Sequence, residues 1–187
     1  MDLAISTGAQ GLMWAILSLG VFLSFRILDV PDMTCEGSFP LGGAIAATMV
    51  VAGVSPWLAI VAAVIGGMVA GAGTGILYTK LKIPAILAGI LTMIALYSIN
   101  LHIMGKANVS LLRTDTIFRL ASRFLDCGSS VAALVVSGGL ILALVLWVYW
   151  FFGTELGMCI RATGFNVHMM RAQGVNTDAM TILGLLL

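Results

Sequence analysis

Charge is the scarcest feature of this 187-residue sequence: nine Lys and Arg face eight Asp and Glu, together 9% of the chain, with a net charge of +1. Soluble domains carry about 25% charged residues, so a surface exposed only to water is excluded. No basic run exceeds Lys80-Leu81-Lys82, which removes nucleic acid as a partner. Histidine is nearly absent; His102 and His168 stand apart, with no HExxH and no carboxylate at ligand spacing, so no metal centre is expected. Cys35, Cys127 and Cys159 show neither zinc nor redox spacing and read as small apolar residues. No Gly-x-x-x-x-Gly-Lys-[Ser/Thr] occurs, since Asn100 stands where Gly105-Lys106 would need a first glycine. The chain is therefore expected to hold no ATP site or other cofactor of its own. Gly71-Ala72-Gly73-Thr74-Gly75 is not a dinucleotide loop either, because the pattern requires glycine at Ile76 and a preceding strand.

What is abundant is apolar: 60% of residues are hydrophobic and the mean hydropathy is +1.11. These values indicate an all-α integral membrane protein, a polytopic helical bundle. The gaps between charges locate the spans, given that a helix needs about 20 residues to cross the hydrocarbon. Asp2 to Arg26 leaves 23 uncharged residues and Lys82 to Lys106 another 23, opened by Pro84. Glu36 to Lys80 leaves 43, divided in two by Gly53-Val54-Ser55-Pro56, and Asp126 to Glu155 leaves 28. Five complete spans follow. Residues 179–187 begin a sixth, so the sequence reads as a single, partial transmembrane domain over 1–187, part of a longer protein. Met1-Asp2-Leu3 lacks a basic n-region, so the first span is expected to remain in the mature chain.

Five crossings put Arg26, Lys80, Lys82, Arg161 and Arg171 on one side and Lys106, Arg113, Arg119 and Arg123 on the other. The tight Lys80/Lys82 loop carries no acid, which favours that side as cytoplasmic and the N-terminus as outside. Between Lys106 and Gly128, Ile117, Leu120, Ala121 and Phe124 recur at helical spacing opposite Arg119, Ser122 and Arg123. That pattern suits an interfacial helix, with a solvated loop as the alternative.

Gly67, Gly71 and Gly75 repeat every four residues and predict a close helix–helix contact. Two polar clusters remain. Asp29, Asp32, Thr34, Glu36 and Ser38 lie between spans one and two; carboxylates this near hydrocarbon are candidate pathway residues, the alternative being a solvated loop with a helix cap. Thr92 and Asn100, in span four, are polar enough to join such a pathway. Residues 154–178 form the second cluster. There Asn166 as N-cap and Gly174 past the C-terminus bracket a short helix over 167–173 that presents Met169, Met170, Arg171 and Ala172. Two turns are unstable alone, so this helix docks either onto a partner protein or onto its own chain.

Three stretches carry a resemblance. Asp32-Met33-Thr34-Cys35-Glu36-Gly37, with Leu41-Gly42, is similar to an Asp-Leu-Ser-Val-Gly segment; Lys82-Ile83-Pro84-Ala85-Ile86-Leu87-Ala88, with Leu91-Thr92, is similar to Lys-Ile-Pro-Pro-Phe-Ile-Ala. Most specific is Leu156-Gly157, Arg161-Ala162-Thr163-Gly164, Asn166 and Arg171-Ala172-Gln173-Gly174-Val175-Asn176. Together they resemble the membrane permease subunits of ABC importers of the branched-chain amino acid and ribose type. Glu36 replaces a small residue and Ala85 a second proline; Glu36-Gly37-Ser38-Phe39 is similar to a subgroup with members associated with aromatic amino acid uptake.

The resemblance implies a transport subunit, not an enzyme, in the bacterial plasma (inner) membrane. Its implied partners are a second permease copy forming the solute pathway, a cytoplasmic ATPase that hydrolyses ATP, and an extracytoplasmic solute-binding protein. It further implies that residues 154–180 are the cytoplasmic coupling loop, with Arg161, Gly164, Asn166, Met170, Arg171, Gly174 and Asn176 addressing the ATPase. The solute would be an amino acid or another small polar molecule. From the residues alone, a gradient-driven transporter or channel using Asp32 and Glu36 stays open, as does a structural membrane subunit without a pathway.

Overall fold

A computed structural model of the chain describes residues 2–106 and 129–187, with side chains described over 4–106 and 131–187. The proposed interfacial helix with Arg113, Arg119 and Arg123 lies outside the described residues. Helix α1, Asp2–Phe22, continues through a π-helical turn, Leu23–Ile27, that ends the first span at Arg26. Residues 28–34 are non-helical, with Asp29 at a positive φ of 55°. Helix α2 covers Cys35–Val51, α3 Pro56–Thr79, α4 Ala85–Met104 and α5 Ser129–Phe152. The turns come from the expected residues: Gly53 adopts φ 84°, Pro56 opens α3, Pro84 caps α4, and Gly105 closes it in the left-handed region at φ 60°.

All five spans have helices where the charge gaps put them, but only four are long and apolar enough to cross a membrane. The second, α2, has 17 residues, because the non-helical segment 28–34 takes up part of its path. Gly37 shows where α2 begins. A Cβ there would lie 3.0 Å from Met93 Cα and 3.2 Å from Leu96 Cδ1, opposite the middle of the 20-residue α4.

The region 154–178, expected to hold one short helix, contains more. Helix α6 runs Glu155–Phe165, α7 Val167–Ala172 and α8 Thr177–Leu186. Three side chains cap them in turn: Thr154 accepts from Gly157 N at 3.4 Å, Asn166 from Met169 N at 3.0 Å, and Asn176 from Ala179 N at 3.2 Å.

Helix α1 packs on α5, while α3 is surrounded by α2, α4 and α8. Two apolar clusters hold these contacts: Leu41, Ala70 and Leu96 between α2, α3 and α4, and Leu23, Leu28, Val30, Phe152, Ile160 and Leu185 where the π turn meets α5, α6 and α8. Of the expected glycine stripe, Gly71 and Gly75 do face α8, their missing Cβ atoms giving room to the Leu185 backbone and to Ile182. Gly67 does not; nothing lies within 4 Å of its Cβ position.

Candidate functional site

A chain of buried polar groups crosses three elements. Asp32 and Thr34, at the end of the non-helical segment, are 4% and 2% exposed; Thr74 of α3 is 2% exposed and Thr92 of α4 is 9%. Asp32 Oδ1 accepts from Thr34 N at 2.9 Å and from Thr34 Oγ1 at 2.5 Å. Thr34 Oγ1 lies 2.8 Å from Thr74 Oγ1, which donates to Thr92 Oγ1 at 3.0 Å. Each hydroxyl has a single proton: that of Thr74 is shared between Thr92 Oγ1 and Ala70 O at 3.3 Å, and that of Thr92 goes to Ala88 O. A carboxylate at this depth needs such donors, because no lipid group can supply them. Glycine makes the approach possible: a Cβ on Gly89 of α4 would stand 2.7 Å from Met33 N and 2.9 Å from Asp32 Oδ1.

Of the five pathway candidates the sequence suggested, this cluster gathers Asp32, Thr34 and Thr92. Asn100 is also buried, at 8% exposed, but its Oδ1 has no hydrogen-bond partner among the described residues. Glu36 departs most. It is exposed on the first turn of α2; its N–H donates to Met33 O at 3.3 Å, and its side chain makes no hydrogen bond or ion pair among the described residues. Asp32 and Glu36, read together as a carboxylate pair, therefore occupy opposite environments: one satisfied inside the protein, the other open on its surface. Thr74 went unassigned because its setting, a glycine-rich apolar helix, offers no motif; its signal is a lone hydroxyl between Gly73 and Gly75.

The second constellation lies at the Lys80/Lys82 end of the bundle. Helix α6 buries Gly157, Ile160 and Thr163 on one face. Gly164, on its last turn, sits directly against the Ile27 carbonyl and Leu28 backbone, a contact that leaves no room for a Cβ. Gly184 of α8 meets the Leu28 side chain from another direction, with Leu28 Cδ1 2.6 Å from its Cβ position. A cleft of about 110 Å³ between Asp29, Tyr78, Thr163, Gly164, Val167 and Thr181 marks the same junction.

Helix α7 stands beyond it. Met170 is 4% exposed and anchors the helix to its own chain, which corrects the expectation that it belongs to an outward face. Val167 and Met169, at 39% and 45%, and the charged end of Arg171 remain outward. Arg171 Nε donates to Thr177 Oγ1 at 2.9 Å, and its Nη2 pairs with Asp178 Oδ1 at 3.2 Å. Gly174 takes φ 80° and reverses the chain into α8, while Asn176 acts as the α8 cap. Arg161 is apart from α7; with Arg26 it lines a groove of about 1230 Å³ walled by Phe22, Tyr149, Trp150 and Phe165. Among the described residues no group of three potential metal ligands occurs.

The sequence profile described as branched-chain amino acid transport system, permease component, matches residues 4–187. The chain is 36% identical over 183 residues to the tyrosine transport system permease protein of Clostridioides difficile, covering 98% of this chain and 59% of that one. It is 30% identical over 172 residues to the galactofuranose transporter permease protein of Escherichia coli, covering 90% and 48%. An autoinducer 2 import system permease protein of Yersinia pestis is 35% identical over 121 residues, 64% and 32% of the two chains. The chain thus spans under two thirds of the length of these relatives. No solved structure matches it.

Proposed function

The chain belongs to the family of branched-chain amino acid transport system permease components, and we propose that it is the membrane-spanning subunit of an ATP-driven importer. It is a multi-pass protein of the bacterial plasma membrane. In the proposed assembly it forms the solute pathway with a second permease subunit. A separate cytoplasmic ATPase supplies the drive and an extracytoplasmic binding protein delivers the solute. The solute is an amino acid with an aromatic side chain, a reading supported by the tyrosine permease relative.

The observation that carries this reading is the mounting of α7. Its outward residues Val167, Met169 and Arg171 offer an apolar and cationic knob of the kind that fills a groove on another protein. It is joined through Asn166 to α6, which contacts the chain at Ile27 and Leu28. From there residues 28–34 lead to the buried Asp32–Thr34–Thr74–Thr92 chain. A partner that binds α7 differently in two nucleotide states would bias the bundle between two arrangements, inward- and outward-facing.

The test is reconstitution of the full-length permease with its ATPase and binding protein in liposomes. Uptake of labelled L-tyrosine should require ATP inside and should fall when Met169 and Arg171 are both replaced by alanine, together with ATPase co-purification. Uptake that persists without ATP would point instead to a gradient-driven transporter.

A further inference from the structure

Glu36 is the carboxylate of the Asp32/Glu36 pair that the buried cluster does not absorb. Its neighbour Gly37 packs on Met93 and Leu96, eight or more residues into α4, which at 1.5 Å per residue is about 12 Å from that helix's start. The hydrocarbon is about 30 Å thick. An exposed carboxylate without a partner among the described residues therefore sits near mid-depth. Complementing the α2 dipole does not offset exposure to lipid at that depth, so the group faces water or another polar surface.

Two further features share its face. Pro40 lies inside α2 and has no N–H, so the Glu36 carbonyl, four residues back, lacks its helical donor. Phe39 is one turn on from Glu36 and stacks on Trp14 of α1, with ring centroids 6.1 Å apart and planes 28° apart. Both rings remain open, at 43% and 58% exposed. One residue thus presents a carboxylate and a spare carbonyl oxygen, beside an aromatic platform.

We propose that Glu36, with its own carbonyl and the Trp14–Phe39 pair, forms a mid-membrane station for an aromatic amino acid in transit. The solute's ammonium group donates to the Glu36 carboxylate and carbonyl, and its ring lies against the aromatic pair. An ammonium has three donors and no acceptor, which matches this all-acceptor corner. The assignment rests on the transport reading above and adds to it the solute's recognised groups.

The test uses the full-length permease assembled with its ATPase and binding protein in proteoliposomes, compared at equal amounts of purified complex. The probes are labelled L-phenylalanine for uptake and 4-azido-L-phenylalanine for photolabelling followed by peptide mapping. Glu36→Gln, which keeps size and removes charge, is expected to lower L-phenylalanine uptake about tenfold or more and to abolish labelling at residues 36–40. Glu36→Asp is expected to recover most of both. Uptake by Glu36→Gln equal to wild type, or wild-type labelling that spares α1 and α2, overturns the station while ATP-driven transport stands. ATP-driven uptake of a sugar with none of L-phenylalanine also overturns it alone. Uptake indifferent to ATP overturns the importer reading, and the station with it.

Discussion

Replacing Thr34 with valine preserves shape and removes one hydroxyl, which isolates the contribution of the buried polar chain. That hydroxyl donates to Asp32 Oδ1 and touches Thr74 Oγ1. A hydrogen bond to a charged group contributes about 1.5–3 kcal/mol, whereas interhelical hydrogen bonds inside membrane proteins average about 0.6 kcal/mol. Thr34→Val is therefore expected to cost about 2–3.5 kcal/mol. Asp32 keeps its bond from Thr34 N, so the carboxylate is weakened rather than stripped. Thr74→Val removes one neutral donor, whose single proton is shared among Thr34, Thr92 and Ala70 O, for about 0.6 kcal/mol. Thr92→Val loses one, for about 0.6 kcal/mol.

The measurement is reversible unfolding of each variant in dodecylmaltoside micelles titrated with dodecyl sulfate. Thr34→Val is expected to cost the most, with Thr74→Val and Thr92→Val alike and smaller. In a double-mutant cycle, Thr34→Val and Thr74→Val should couple by about 0.6 kcal/mol, the share of their mutual contact. A Thr34→Val cost no larger than that of Thr92→Val would refute the claim that Asp32 anchors the chain.

Gly164→Ala drives a methyl into the Ile27 carbonyl and should destabilise by about 1–3 kcal/mol, read by the same titration. Gly89→Ala crowds Met33 N and Asp32 Oδ1 and is expected to reduce ATP-driven uptake while leaving ATPase co-purification at wild-type level. Asn166→Ala removes the α7 cap, at about 0.5–2 kcal/mol, and should weaken ATPase co-purification; Asn166→Asp should restore it. Asp178→Ala breaks an exposed ion pair and should shift stability by no more than about 1 kcal/mol, so a larger shift in the titration would contradict the geometry.

The spans were legible because two numbers meet: the gaps between charges and the thickness of hydrocarbon. Nothing of that kind marks α6. Its buried face is Gly157, Ile160 and Thr163, two small residues and one apolar one, so it shows no stripe of large hydrophobes and holds by backbone contact instead. Thr154 followed by Glu155 was its visible start, an N-cap with an acid in the first turn. Met170 was misjudged because a two-turn helix shows too few residues to define its inner face. Charge near hydrocarbon correctly marked Asp32 and Glu36, but which of them is enclosed depends on where the chain leaves α1, and that is set by the π turn at Leu23–Ile27.

That turn also explains how one short segment serves both constellations. The π turn and Leu28 receive Gly164 and Gly184 from the α6 and α8 side, and four residues later Asp32 is held by Thr34 and crowded by Gly89 from α4. Bare backbone at this depth survives only inside protein, and the segment meets that condition: Val30 N donates to Ser24 O at 3.1 Å, and Thr34 N to Asp32. Two of its contacts, Gly164 on the Ile27 carbonyl and Gly89 on Met33 N, are glycine to backbone with no flexible side chain between, which leaves little slack. A displacement of α6 is then passed to Asp32 as a shift of the segment itself, and the hydroxyl chain to Thr74 and Thr92 spreads it over α3 and α4.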